Sequence, residues 1–170
     1  MNFTIEHTFR NISRDDYEQK VFLSEVFNDA IKSVAGLRSR ELLDKKDEGG
    51  RLFRRVRMQP EREFPAVIKK LLNGDLISTE ESWFDAAKHT VEWQTKLSVL
   101  ADKVKLTGRV EFVEVPGGVK RRLTGNIDVA VFGVGRIIEK TVVDDLVSTY
   151  EKIAKFTQTW IDGRKHLQGP

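Results

Sequence analysis

Between residues 3 and 10 the chain alternates, with Phe3, Ile5, His7 and Phe9 on one side and Thr4, Glu6, Thr8 and Arg10 on the other. A period of two is that of a half-buried β-strand. The period then lengthens. Ser13 is placed as an N-cap, with Asp15 and Asp16 in the first turn where negative charge suits the helix dipole. Tyr17, Val21, Phe22, Val26, Phe27, Ile31 and Val34 follow at helical spacing as far as Gly36, a natural stop. Asn28 and Asp29 are the expected point of division if the region holds two shorter helices.

Residues 37–46 and 51–58 read as a β-hairpin around Asp47-Glu48-Gly49-Gly50. Pro60 and Pro65 bracket a break, after which Val67, Ile68, Leu71 and Leu72 predict a short amphipathic helix terminated by Asn73-Gly74. Strands are predicted over 76–84, 89–97, 103–115 and 119–132, the last two joined by Pro116-Gly117-Gly118, the clearest hairpin signal in the chain. Val104, Leu106, Val110 and Phe112 share one face of the first of that pair, and Leu123, Ile127, Val129 and Val131 one face of the second. From 136 to 162, Ile138, Val142, Leu146, Tyr150, Ile153, Thr157 and Trp160 recur at spacings of three and four, a stripe of about six helical turns.

This order implies an α+β domain over residues 1–170, with an antiparallel meander that must cover its apolar face. Only the final helix is long enough to do so. The expected architecture is therefore a curved antiparallel β-sheet wrapped around a long C-terminal α-helix, with Gly108 and Gly125 as candidate kink or close-approach positions.

Composition narrows the function classes. At 170 residues the chain suits one domain, and the absence of cysteine rules out a disulfide framework and fits a reducing compartment. No basic flank precedes an apolar run at the start, and no apolar run is long enough to span a bilayer, so a cytoplasmic location is expected. The net charge of +3 arises from 29 basic and 26 acidic residues that are mostly interspersed, which argues against a nucleic-acid partner. Arg55, Arg57, Lys120 and Arg122 stand out as a basic set, read either as a transient contact for anionic lipid head groups or as solvated, edge-protecting strand faces.

Catalytic and metal signals are sparse. There is no cysteine, and no serine sits in a nucleophile-elbow pattern. His7, His89 and His166 do not fall at metal-ligand helical spacing with another histidine or a carboxylate, so neither a metal nor another cofactor is expected. Gly133-Val134-Gly135 lacks the third glycine and the βαβ context of a phosphate loop and reads as a strand-to-helix turn.

His7 shares the inward face of its strand, either as a polar handle for a ligand or a general base in a cavity, or as a histidine bonded to a core neighbour or at the sheet edge. Alternation places Arg54 with Leu52, Val56 and Met58. If that face is inward, Arg54 is a buried charge needing an internal carboxylate such as Glu80 or the anionic group of a ligand, whereas a register shifted by one residue turns it out. Trp83, Trp93, Tyr150 and Trp160 either line a pocket or fill a core.

The stretches FTIEHTF at the start, FP…IKKLLNG in the insertion, and PGGVKRRLTGNIDVAVFGVGRIIEKTV leading into the final helix resemble the helix-grip fold of the START and birch-pollen-allergen superfamily. More narrowly they resemble an uncharacterised bacterial family within it, a domain of unknown function. The resemblance covers essentially the whole chain. It implies a cavity between sheet and helix that accommodates a lipid, sterol, polyketide or another apolar molecule; the superfamily also contains aromatase/cyclases, ring hydroxylase subunits and chaperone co-factors. The expectation is non-catalytic binding, or transport, of a hydrophobic small molecule or lipid by His7, Arg54, Met58, Trp93, Phe112, Val129, Tyr150 and Ile153. The alternatives are a cyclase- or hydrolase-like enzyme acting on such a ligand and a protein-interaction module with a filled core.

Overall fold

The opening alternation becomes β1, Asn2–Arg10, with Phe3, Ile5 and Phe9 buried on its inner face. A computed structural model describes residues 1–72 and 74–163, so Asn73, half of the expected helix terminator, and His166 lie outside the described residues. After β1, the Ser13 hydroxyl accepts from the Asp16 N–H at 3.1 Å and starts α1, Arg14–Tyr17. A π-helical turn over Glu18–Phe22 continues it. The division expected at Asn28 and Asp29 falls earlier, at Ser24, whose hydroxyl accepts from the Phe27 N–H at 3.2 Å and caps α2, Glu25–Ala30. The wider turn rotates the helical stripe, so Val26 points to solvent while Tyr17, Val21 and Phe27 are buried. Gly36, at φ +66°, closes the region in the left-handed conformation glycine adopts without strain.

The remaining strands are β2 (Leu37–Glu48), β3 (Arg51–Pro60), β4 (Ser78–Asp85), β5 (Thr90–Leu97), β6 (Val104–Val115) and β7 (Gly118–Val129). All pairings are antiparallel and the sheet order is β1-β7-β6-β5-β4-β3-β2. The helical region thus carries the chain from one edge of the sheet to the other. Between β3 and β4 the amphipathic insertion is shorter than expected, with α3 confined to Ala66–Lys69 and none of its residues buried.

The final stripe forms α4, Gly135–Gly163, lying in the concave face. Three glycines mark close approaches, two within the sheet and one where the chain enters α4. Gly108 and Gly125 face one another across β6 and β7. A Cβ at Gly108 would collide with the Thr124 carbonyl and the Trp93 ring, one at Gly125 with the Phe3 ring, and one at Gly135 with the Val129 carbonyl. Glu139 adds a tie between helix and sheet, accepting from the Val129 N–H at 3.0 Å. The helix-grip expectation holds. Among the described residues no helix is long and apolar enough to cross a membrane.

Two apolar clusters flank the middle of α4. At its C-terminal end Phe9 stacks on Tyr17 at 5.0 Å, Tyr17 and Phe22 both pack on Phe112, and Val21, Val119 and Ile161 are fully buried. Towards its N-terminal end Val104, Ile127, Val129 and Ile138 form a smaller cluster.

Candidate functional site

Between these clusters lies a cavity of about 620 Å³, bounded by the sheet, α4, the helical region after β1 and the segment around α3. Its volume falls within the roughly 300–1,000 Å³ of small-molecule sites. The wall is predominantly apolar. Phe64, Pro65, Ile68 and Leu72 cover one side of it, and Arg62 fastens that cover by pairing with Asp145 of α4 and donating from Nη2 to the Ala35 carbonyl at 2.8 Å.

The inward register of β3 places Arg54 on the wall with only 6 % of its surface accessible. Its guanidinium lies over the Phe22 ring at 4.9 Å. Its edges are a different matter: among the described residues Nε and Nη1 have no hydrogen-bond partner, and no hydrogen bond joins Arg54 to Glu80. Glu80, opposite Val56 in the β3–β4 pairing and also on the wall, attracts Arg54 through space. Burial pushes the Glu80 carboxyl above its ordinary value, opposed by the charges of Arg54 and Arg40. The nearby cation Arg40 is engaged by Glu25 at 2.7 Å. Trp93 Nε1 is likewise buried without a hydrogen-bond acceptor.

A second cation, Arg121, also faces inward and is 7 % exposed. Its Nη1 donates to the Tyr17 hydroxyl and its Nη2 to His7 Nδ1, both at 3.3 Å, and it lies over the Tyr150 ring at 5.0 Å. Because His7 Nδ1 accepts from Arg121, its proton sits on Nε2 and is donated to Glu151 at 3.0 Å. Arg121 is therefore solvated by protein. Burial raises the Tyr17 and Tyr150 hydroxyl pKa values, against the opposing pull of Arg121.

Of the eight residues expected from sequence, Arg54, Met58, Trp93, Tyr150 and Ile153 line this cavity and three do not. His7 is taken up by Arg121 and Glu151. Phe112 is buried against Tyr17 and Phe22, which the π-helical turn carries over it. Val129 belongs to the cluster beneath the start of α4. The sequence reading passed over Arg121, although alternation with Val119 and Leu123 was a signal that it turns inward between Lys120 and Arg122.

The basic set does not form one surface. Arg55 and Arg57 lie on β3 and pair with Glu81 and Glu41, while Arg122 lies on β7 and pairs with Glu6. Elsewhere His89 Nδ1 meets the buried Glu18 at 2.8 Å, and donor atoms of Asp15, Glu18 and His89 lie within 4.8 Å of one another. Asp15 and Glu18 lie three residues apart, but His89 is 71 residues beyond Glu18, so helical spacing did not reveal the group. The Glu18–His89 contact ties the π-helical turn to the β4–β5 connection.

Several solved structures share this fold. The Zhui aromatase/cyclase from Streptomyces sp. R1128 is 13 % identical, with 96 % of each chain covered and a TM-score of 0.62. A START superfamily protein from Mycobacterium smegmatis is 13 % identical over 96 % of this chain and 97 % of its own, at a TM-score of 0.57. Norcoclaurine synthase from Thalictrum flavum is 16 % identical over 92 % of this chain and 87 % of its own, at a TM-score of 0.58. At such identities the likeness is one of fold: a START-like helix-grip domain. No curated protein matches the chain in sequence. Residues 8–161 match the family described as protein of unknown function DUF2505, and the chain belongs to that family.

Proposed function

We propose that this protein binds a hydrophobic small molecule non-covalently in the cavity between sheet and α4. The observation that carries the reading is the cavity itself, about 620 Å³ of mainly apolar-walled space in a domain otherwise packed around aromatic side chains. A filled core, the basis of the interaction-module alternative, does not describe this interior. Met58, Trp93 and Ile153 supply apolar contact, while Arg54 and the Tyr150 hydroxyl give the wall a few polar groups that orient a guest. The cover around α3 is the door, since α3 buries none of its residues.

A neutral fluorescent probe, N-phenyl-1-naphthylamine, tests this reading. Saturable fluorescence enhancement in the wild type, lost in Leu146→Trp with an unchanged circular dichroism spectrum, supports it. Absence of saturable enhancement, or an equal response from the plugged variant, contradicts it.

A second reading rests on Glu80. A half-buried carboxyl held above its ordinary value beside a ligand cavity is the starting point for general-acid chemistry. Under this reading the protein would convert the molecule it binds, with Glu80 as proton donor. Product formed from ligand extracted with the protein, and lost in Glu80→Gln while binding persists, supports it; undiminished turnover in that variant removes Glu80 from the scheme.

A further inference from the structure

The cations on the cavity wall are not equally provided for. Arg62 pairs with Asp145, Arg40 with Glu25, and Arg121 with the Tyr17 hydroxyl and His7, which passes to Glu151. Arg54 differs. It is more than nine-tenths buried, one face is covered by Phe22, and its guanidinium makes no hydrogen bond among the described residues. Glu80 supplies a through-space attraction but no hydrogen bond.

Filling the cavity sharpens the problem. A wholly apolar guest would exclude water from the space Arg54 borders and leave the guanidinium with fewer acceptors than before, a costly outcome for a buried charge. A guest carrying its own oxygen anion does the reverse: it supplies acceptors to a planar donor already fixed by the ring beneath it. A doubly charged phosphate monoester would place excess charge beside Glu80, so a carboxylate is the better match.

We infer that the ligand of this cavity is an apolar molecule ending in a single carboxylate, seated with that carboxylate against Arg54 and its apolar body along Trp93, Tyr150 and Ile153. This inference rests on the cavity-binding reading above and specifies the chemistry of its guest. The Trp93 indole N–H, also without an acceptor, is a second donor on the same wall.

A matched probe pair separates the two ideas. 11-(Dansylamino)undecanoic acid and its methyl ester share tail and fluorophore and differ in the charge of the head. Titrated into the wild-type protein at neutral pH, the acid should bind roughly 10- to 150-fold more tightly, the range for a hydrogen bond to a charged group. In the double variant Arg54→Met with Glu80→Gln, where neither charge is left stranded, the acid should lose its advantage over the ester. Equal wild-type affinities, or an acid preference that survives the double variant, would overturn the carboxylate assignment while leaving cavity binding in place. Failure of the wild type to bind either probe would overturn both. The wild-type comparison decides the matter even if the double variant does not fold.

Discussion

At its C-terminal end α4 is sealed, with Thr157 and Ile161 at 0 % exposure beneath Phe9, Tyr17 and Val119 at 1 % or less. Earlier along the same helix, Leu146, Tyr150 and Ile153 border a cavity of about 620 Å³. Both lengths are amphipathic and both lie in the same sheet. They differ in what covers them. The helical region after β1 packs Tyr17, Val21 and Phe27 onto the sealed end and only borders the cavity, whose other cover is the four-residue α3 with nothing buried. Close packing requires a dense cover as well as an apolar stripe. The grip itself permits either a core or a container.

The sharpest way to break that comparison is truncation at both ends. Phe9→Ala should cost about 3–5 kcal/mol in urea unfolding, the range for deleting a packed aromatic, while Leu146→Ala on the half-buried cavity wall should cost about 1 kcal/mol. Equal losses would mean that the cavity wall is packed as tightly as the core. Enlargement is the converse test. Val119→Phe should cost about 1–3 kcal/mol by overpacking, and Leu146→Trp less than about 1 kcal/mol because the added atoms have space to enter.

Protonation gives a smaller, signed effect. Glu80 has its carboxyl raised above 4.5, chiefly by desolvation, so the folded protein holds that proton more tightly than the unfolded chain. Its contribution to stability is present at low pH and is lost as pH rises from about 4.5 through the raised folded value. Glu80→Gln cannot ionise and should remove this loss, becoming progressively more stable than wild type as the pH increases. A variant less stable than wild type at neutral pH would show that attraction to Arg54 outweighs desolvation. The smallest expected effect is at the door. Arg62→Ala removes a partly exposed ion pair worth about 0.2–1 kcal/mol, so release of N-phenyl-1-naphthylamine in stopped flow should quicken by no more than about fivefold.

How much of this could be read from the chain differs along the same division. Strand alternation, the Ser13 cap, the Pro116-Gly117-Gly118 turn and the long stripe from Ile138 to Trp160 are local signals, and the grip followed from them. Parity also grouped Arg54 with Leu52, Val56 and Met58, but left open which face turns inward. Alternation with Val119 and Leu123 is the same kind of signal for Arg121, but only its neighbours Lys120 and Arg122 were singled out. Phe112 and Val129 do face inward, yet whether an inward residue meets a cavity or a neighbour depends on elements distant in sequence. The π-helical turn that carries Tyr17 and Phe22 over Phe112 leaves no period of its own in so short a region. His7 was legible as a polar group on an apolar face, while its engagement by Arg121 and Glu151 depends on the β1–β7 register and the seating of α4.

Native mass spectrometry after incubation with a mixed extract of cellular small molecules tests the container claim most directly. The account predicts one-to-one adducts on the wild-type protein, carrying an apolar molecule identifiable by solvent extraction, and their loss from Leu146→Trp. Identical spectra for the two proteins, whether both bare or both carrying the same adducts, would contradict it.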